Sequence, residues 1–221
     1  MSASWLEEEW IKQFTFDRKN GLQDGAETVN ESGVEHRPDN VRRFAHLDLD
    51  GFFNNRAFDN DQRTANLDQS GYYLLRDGLP AETLWQLPGR KATFPVPEIY
   101  GNGCDNISCM GQVIPINRGT YSSVFLLGLS EMGNYSDHLI IRYEDGTVEQ
   151  LDFGFTNWVD RFPMYGNTVV WEGRYAHVHE QQSGAAKLYV LQCRLSFGKN
   201  VVGIELPVLP NIHIFAITLS A

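Results

Sequence analysis

Apolar and polar residues alternate along most of this chain, and the pattern is clearest near its C-terminal end. In residues 211–219, Ile212, Ile214, Ala216 and Thr218 fall on one face of an extended strand. His213, Phe215, Ile217 and Leu219 fall on the other. Both faces are largely apolar, which predicts a strand buried between two layers. A second β-rich run, 201–206, precedes it and is set off by Pro207 and Pro210. Upstream, residues 44–50 alternate and then meet Gly51, and residues 121–129 are apolar and β-branched. Residues 138–143 and 147–153 flank Glu144-Asp145-Gly146, a hairpin signal because glycine admits the positive φ that a tight turn requires. Residues 168–171 and 187–195 add further strands, and residues 80–86 suit one or two helical turns. Many short strands, few helices and no βαβ alternation predict an all-β, antiparallel sandwich.

One segment has a helical period. Ser4-Trp5-Leu6-Glu7 is a capping-box pattern, and Trp5, Leu6, Trp10, Ile11 and Phe14 share a face with acids opposite. This predicts a short amphipathic helix over 1–16. Residues 17–43 are polar, rich in Gly, Asn, Asp and Glu, and read as a joining loop. The sandwich then occupies 44–221. The helix either docks on its own sandwich or presents its two tryptophans to a homodimer or a catalytic partner.

With 221 residues, 42% of them hydrophobic, the chain can bury one sizeable core. A net charge of −10 without a basic stripe argues against a nucleic-acid partner. No apolar run approaches the roughly 18 residues of a membrane-spanning helix, so no membrane partner is expected. Residues 1–16 lack the basic and apolar regions of a signal peptide. The expectation is therefore a cytoplasmic protein, or a secreted one whose leader has been removed. The three cysteines, Cys104, Cys109 and Cys193, match no zinc spacing. Cys104 and Cys109 are close enough in sequence to staple a loop, with free thiols as the default.

Several segments carry a family resemblance. They are Leu47-Asp48-Leu49-Asp50-Gly51-Phe52-Phe53-Asn54-Asn55-Arg56, Gly71-Tyr72-Tyr73, Cys104-Asp105-Asn106-Ile107 with Gly111-Gln112, and Gly119-Thr120-Tyr121-Ser122-Ser123 with Leu126-Leu127-Gly128. Tyr143-Glu144-Asp145-Gly146 and residues 210–219 complete the set. Together they resemble the β-sandwich accessory domains of bacterial glycoside hydrolases, α-fucosidase-type enzymes among them. The resemblance implies a galactose-binding-like jelly roll that binds sugar, packs on a catalytic domain, or does neither. No catalytic module accompanies the sandwich in this sequence.

Three groups of residues could carry chemistry. Asp48, Asp50, Asn54 and Asn55 crowd a strand end beside Gly51, and Asp105 and Asn106 could join them. Oxygen donors at this density suit Ca²⁺, sugar hydroxyls, or their own turns. The metal candidates are Asp48, Asp50, Asp105 and Asn106. No cofactor is required, and Ca²⁺ is the one ion these donors suit. Sugar recognition also needs flat rings and hydroxyl-binding groups. Phe52, Phe53, Tyr72, Tyr73, Trp158, Arg161, Tyr165, Trp171 and Tyr175 are candidates, and Arg56 stands beside them. Third, Arg174-Tyr175-Ala176-His177-Val178-His179-Glu180 places two imidazoles on one face of a strand. His177 and His179 can line a site or act as acid and base, with Glu180 and Asp50 as catalytic carboxylates if the protein is an enzyme. No motif pairs two carboxylates for glycoside hydrolysis, and P-loop, Gly-x-Ser-x-Gly and dinucleotide patterns are absent.

These observations point to a carbohydrate-binding sandwich whose site gathers Asp48, Asp50, Asn54, Asn55, Arg56, Trp158, Arg161, Arg174 and His177. The alternatives are a glycoside-active hydrolase or lyase on the sandwich face, and a structural subunit of a glycan-processing complex.

Overall fold

The computed structural model describes residues 44–60, 62–81, 83–86, 92–98 and 101–221. The chain divides into two units, residues 1–40 and 41–221. The predicted helix at 1–16, with its Trp5/Trp10 face, and the polar segment at 17–43 lie outside the described residues.

The described residues form 14 strands and no α-helix. In chain order they are β1 (Phe44–His46), β2 (Phe58–Asp59), β3 (Tyr72–Leu75), β4 (Leu84–Gln86), β5 (Thr93–Pro95), β6 (Ile107–Met110) and β7 (Val113–Thr120). There follow β8 (Ser123–Ser130), β9 (Tyr135–Tyr143), β10 (Val148–Phe155), β11 (Thr168–His177), β12 (Ser183–Arg194), β13 (Asn200–Glu205) and β14 (Val208–Ser220). One sheet runs β1-β14-β8-β12-β11-β3-β2, with β6 beside β14. A second runs β10-β9-β13-β7, and β4 and β5 form a separate pair. Among these pairings only β2 with β3 is parallel. The result is the β-sandwich that the alternation predicts.

Strand β8 explains why the apolar runs are so long. All eight of its residues are buried. On one face Phe125 meets Phe94 of β5 and Phe44 of β1, with ring centroids 6.5 and 6.4 Å apart. On the other face Gly128 lies so close to the Phe155 ring that a Cβ would stand 2.8 Å from it. The large sheet is thus covered by β10 of the second sheet on one side and by the β4–β5 pair on the other. The terminal strand shares this setting, and residues 212–220 are all buried.

Two local expectations change. Pro210 does not end a strand, because β14 runs through it with a register shift between Leu209 and His213. A bulge tolerates the missing N–H of proline. Residues 84–86 are not helical. They pair with β5 as β4, burying Trp85 and exposing Leu84 and Gln86, a period of two rather than 3.6. The hairpin between β9 and β10 closes at Asp145-Gly146, with Gly146 at φ +82°. The three cysteines are free thiols.

Candidate functional site

Most polar side chains of the Asp48–Arg56 segment are engaged by backbone groups, several of them far along the chain. Asp48 Oδ1 accepts from the Asp50 N–H at 3.1 Å, an Asx turn that leads into the 3₁₀ turn Asp50–Phe52. Asn54 clamps Ser108, donating to its carbonyl at 3.0 Å and accepting from its N–H at 2.7 Å. Asn55 Nδ2 donates to the Leu67 carbonyl at 3.2 Å. Arg56 reaches the Phe58 carbonyl at 3.4 Å and lies 3.8 Å from Asp59. Asp105 is fully buried, and its two oxygens accept from the Ala57 and Phe58 N–H groups at 2.8 Å each. Burial pushes its carboxyl above the ordinary range, against the pull of these donors and the Asn106 amide. Among the described residues no three His, Cys, Asp or Glu side chains gather as a metal site. Of the donors expected for Ca²⁺, Asp48 and Asp105 thus spend oxygens on a turn and a strand start, and Asn106 Oδ1 faces His213 Nδ1 at 2.8 Å.

Along β11 and its exit the side chains divide by parity. Arg174 points away from His177 and pairs with Asp77 through Nε at 3.0 Å and through Nη2. With Ala176, Leu75, Arg76, Asp59 and Asn60 it lines a depression of about 580 Å³ at the sheet edge. On the opposite face the rings of Tyr72, Tyr175, Trp158 and His177 form one aromatic cluster. His177 is buried with both nitrogens engaged. Nε2 lies 2.9 Å from the Ser70 carbonyl, and Nδ1 accepts from the His179 and Glu180 N–H groups. This fixes the neutral Nε2–H tautomer and makes the ring a brace for the turn after β11. His179 and Glu180 are exposed beyond it. Trp158 is only 5% exposed, so it anchors the cluster rather than offering an open platform.

The segment 156–167 between β10 and β11 is closed by a buried knot. Asn167 Oδ1 accepts from the Thr156 N–H at 2.8 Å and its hydroxyl at 2.9 Å, while Asn167 Nδ2 donates to the Gly154 carbonyl at 3.0 Å. The Thr156 hydroxyl in turn accepts from the Met164 N–H at 2.7 Å. Within the segment so closed, Tyr165 takes φ +53° and Gly166 φ +71°. A left-handed tyrosine is uncommon and costs free energy, a feature that concentrates at ligand sites. Its ring is laid over Gly154, where a Cβ would stand 2.8 Å from the ring. Arg161 lies over the neighbouring Phe162 ring, 5.1 Å from its centroid.

Tyr165 borders an open depression of about 610 Å³ on the outer face of the second sheet. Ser136, Asp137, His138 and Asp152 supply its polar lining. His138 and Asp152 are paired across β9 and β10, with Nδ1 3.7 Å from Oδ1. A flat ring beside several hydroxyl-binding groups is the combination that sugar recognition needs, and Tyr165 is the one member of it expected from the sequence. The signal was present in the turn. Counting back from Asp145-Gly146 pairs Asp152 with His138 and Gly154 with Ser136, on one outward face.

A family model for the AziU2-like beta-sandwich domain matches residues 43–221. The chain belongs to this family. The match spans the whole described sandwich and supports the all-β expectation. The likeness to glycoside-hydrolase accessory domains, with its jelly-roll and fucosidase detail, rests on the sequence motifs alone. No curated protein matches the chain.

Proposed function

We propose that this AziU2-like sandwich is a carbohydrate-binding protein whose site is the Tyr165 depression. The observation that supports this reading is the Tyr165 ring, held left-handed over Gly154 beside Asp137, His138 and Asp152. A pyranose would stack its apolar face on the ring and offer its hydroxyls to the carboxylates, the imidazole and Ser136. The volume lies within the roughly 300–1,000 Å³ of ligand clefts. The resemblance to sugar-binding, galactose-binding-like jelly rolls favours the same ligand class. A non-catalytic role fits better than a hydrolase or lyase, because His177 is engaged at both nitrogens and the lining groups are open to solvent. A glycan array tests the proposal. Wild type should select one glycan class, and Tyr165→Ala should weaken that binding by about 1–3 kcal/mol, the scale of burying an aromatic side chain. Array binding that survives Tyr165→Ala unchanged removes the site.

A second reading is a structural subunit of a glycan-processing complex. It is favoured by Phe162, Met132 and Met164, which are 70%, 67% and 48% exposed. Exposed apolar side chains gathered on neighbouring turns suit a protein contact, and the Trp5/Trp10 segment is a further candidate for it. A chain silent on the array that gains mass with a co-expressed glycan enzyme, and loses it on Phe162→Ser, would favour this reading.

A further inference from the structure

Acidic groups on the second sheet and its turns are offset by protein partners, except at the Tyr165 depression. Glu144 of the β9–β10 turn lies 2.7 Å from Arg118 of β7, and Asp145 lies 3.1 Å from Lys199. Glu205 of β13 pairs with Arg142 of β9. Glu149 of β10 accepts from the Tyr143 and Ser196 hydroxyls, under the field of Lys199. Asp137 and Asp152 line the depression, and no described Lys or Arg lines it with them. Asp137 Oδ1 accepts from the backbone N–H of His138 at 2.8 Å. Asp152 is fully exposed and has His138 3.7 Å away, an imidazole charged only when protonated.

Cations of this and the adjoining elements are placed elsewhere. Arg142 is held by Glu205, and Arg161 lies over the Phe162 ring. Lys187 Nζ donates to the Asp160 and Arg161 carbonyls at 2.8 and 3.0 Å. Two carboxylates therefore meet at most one imidazolium, and the lining stays net negative in either state of the His138 ring. The chain's net charge of −10 adds to this field. An anionic sugar would be repelled. A sugar hydroxyl would find acceptors, but an ammonium brings three donors and a charge that the lining lacks. Next to the Tyr165 ring a cation also gains from the negative face of the aromatic system.

We propose that the ligand of the Tyr165 depression is a hexosamine with a free, protonated amine, its ring on Tyr165 and its ammonium toward Asp137 and Asp152. This rests on the carbohydrate reading of the depression and narrows it to one class of sugar. Replacing the amine by a hydroxyl or an acetamide removes the charge and with it the preference.

Two matched series of sugars test it by NMR titration of the full chain. One is glucosamine, N-acetylglucosamine and glucose, and the other is galactosamine, N-acetylgalactosamine and galactose. In low salt, with the amine protonated, one free amine should bind at least about fivefold more tightly than its two neutral counterparts, the scale of an exposed ion pair. Its shifts should centre on Tyr165 and Asp152. At about 1 M salt, where the screening length is about 3 Å, the ratio should fall below about twofold. Asp137→Asn/Asp152→Asn, a change of two exposed side chains, should reduce the ratio in the same way. Equal binding of a neutral sugar at Tyr165 would overturn the amine while leaving the carbohydrate reading in place. Amine shifts spread over acids away from Tyr165, or a ratio unchanged in the double variant, would show general attraction to an acidic chain and overturn it as well. If neither series shifts Tyr165 the amine is likewise excluded, and only a glycan array that is also silent removes the carbohydrate reading with it.

Discussion

Asp59 accepts four hydrogen bonds, from the N–H groups of Gln62, Thr64 and Ala65 and from the Thr64 hydroxyl. Burial alone would raise its carboxyl, but these donors outweigh burial and hold it below the ordinary carboxylate value. The sign follows. A depressed folded value means stability that is present above the unfolded value of about 3.9 and lost as pH falls below it. Asp59→Asn should therefore lower the melting temperature at neutral pH, by about 1–3 kcal/mol in stability, and by less at pH 3. An equal loss at both pH values would show that the charge is immaterial. His177 makes a similar point about legibility. Its spacing from His179 suggested a shared face, but its Nε2–H donates to the Ser70 carbonyl, more than a hundred residues away, while Nδ1 accepts from the nearby His179 and Glu180 N–H groups. Composition cannot reveal such a partner.

The β9–β10 hairpin shows what an element discloses. Its turn, register and inward face follow from alternation and Asp145-Gly146, because side-chain period and turn chemistry are local. Its outward face holds the proposed site, yet Ser136, His138 and Asp152 gain meaning only when the segment 156–167 folds back over Gly154. Gly154→Ala tests that fit. The added methyl would collide with the Tyr165 ring at 2.8 Å and with Ser136 Cβ at 3.0 Å. We expect the circular dichroism to stay that of a β-sandwich while glycan affinity falls by about tenfold, or roughly 1.4 kcal/mol. A variant with wild-type affinity would mean that the ring does not need this seat. The helical turns expected over 80–86 fail at 84–86 for the opposite cause. A seven-residue run is too short for a period to declare itself, and pairing with β5 decides the conformation of 84–86.

At the scale of the molecule, the sandwich was legible because each buried strand reports its own environment. The candidate site was less so, since most polar residues singled out in the sequence are spent within it. Asp48, Asn54, Asn55, Asp105 and Asn106 bind turns, strand starts and one another. For that reason chelator should leave the melting temperature unchanged, and adding Ca²⁺ to stripped protein should not raise it. A rise with Ca²⁺ would show a native-state ion site, since a ligand bound only by the folded form stabilises it.

The most direct test of the account is a chemical-shift map of the labelled protein titrated with the best glycan from the array. Saturable shifts concentrated at Ser136, Asp137, His138, Asp152, Gly154 and Tyr165 are expected. Shifts centred instead on Tyr72, Tyr175 and His179, or on the Arg174 depression, would contradict it.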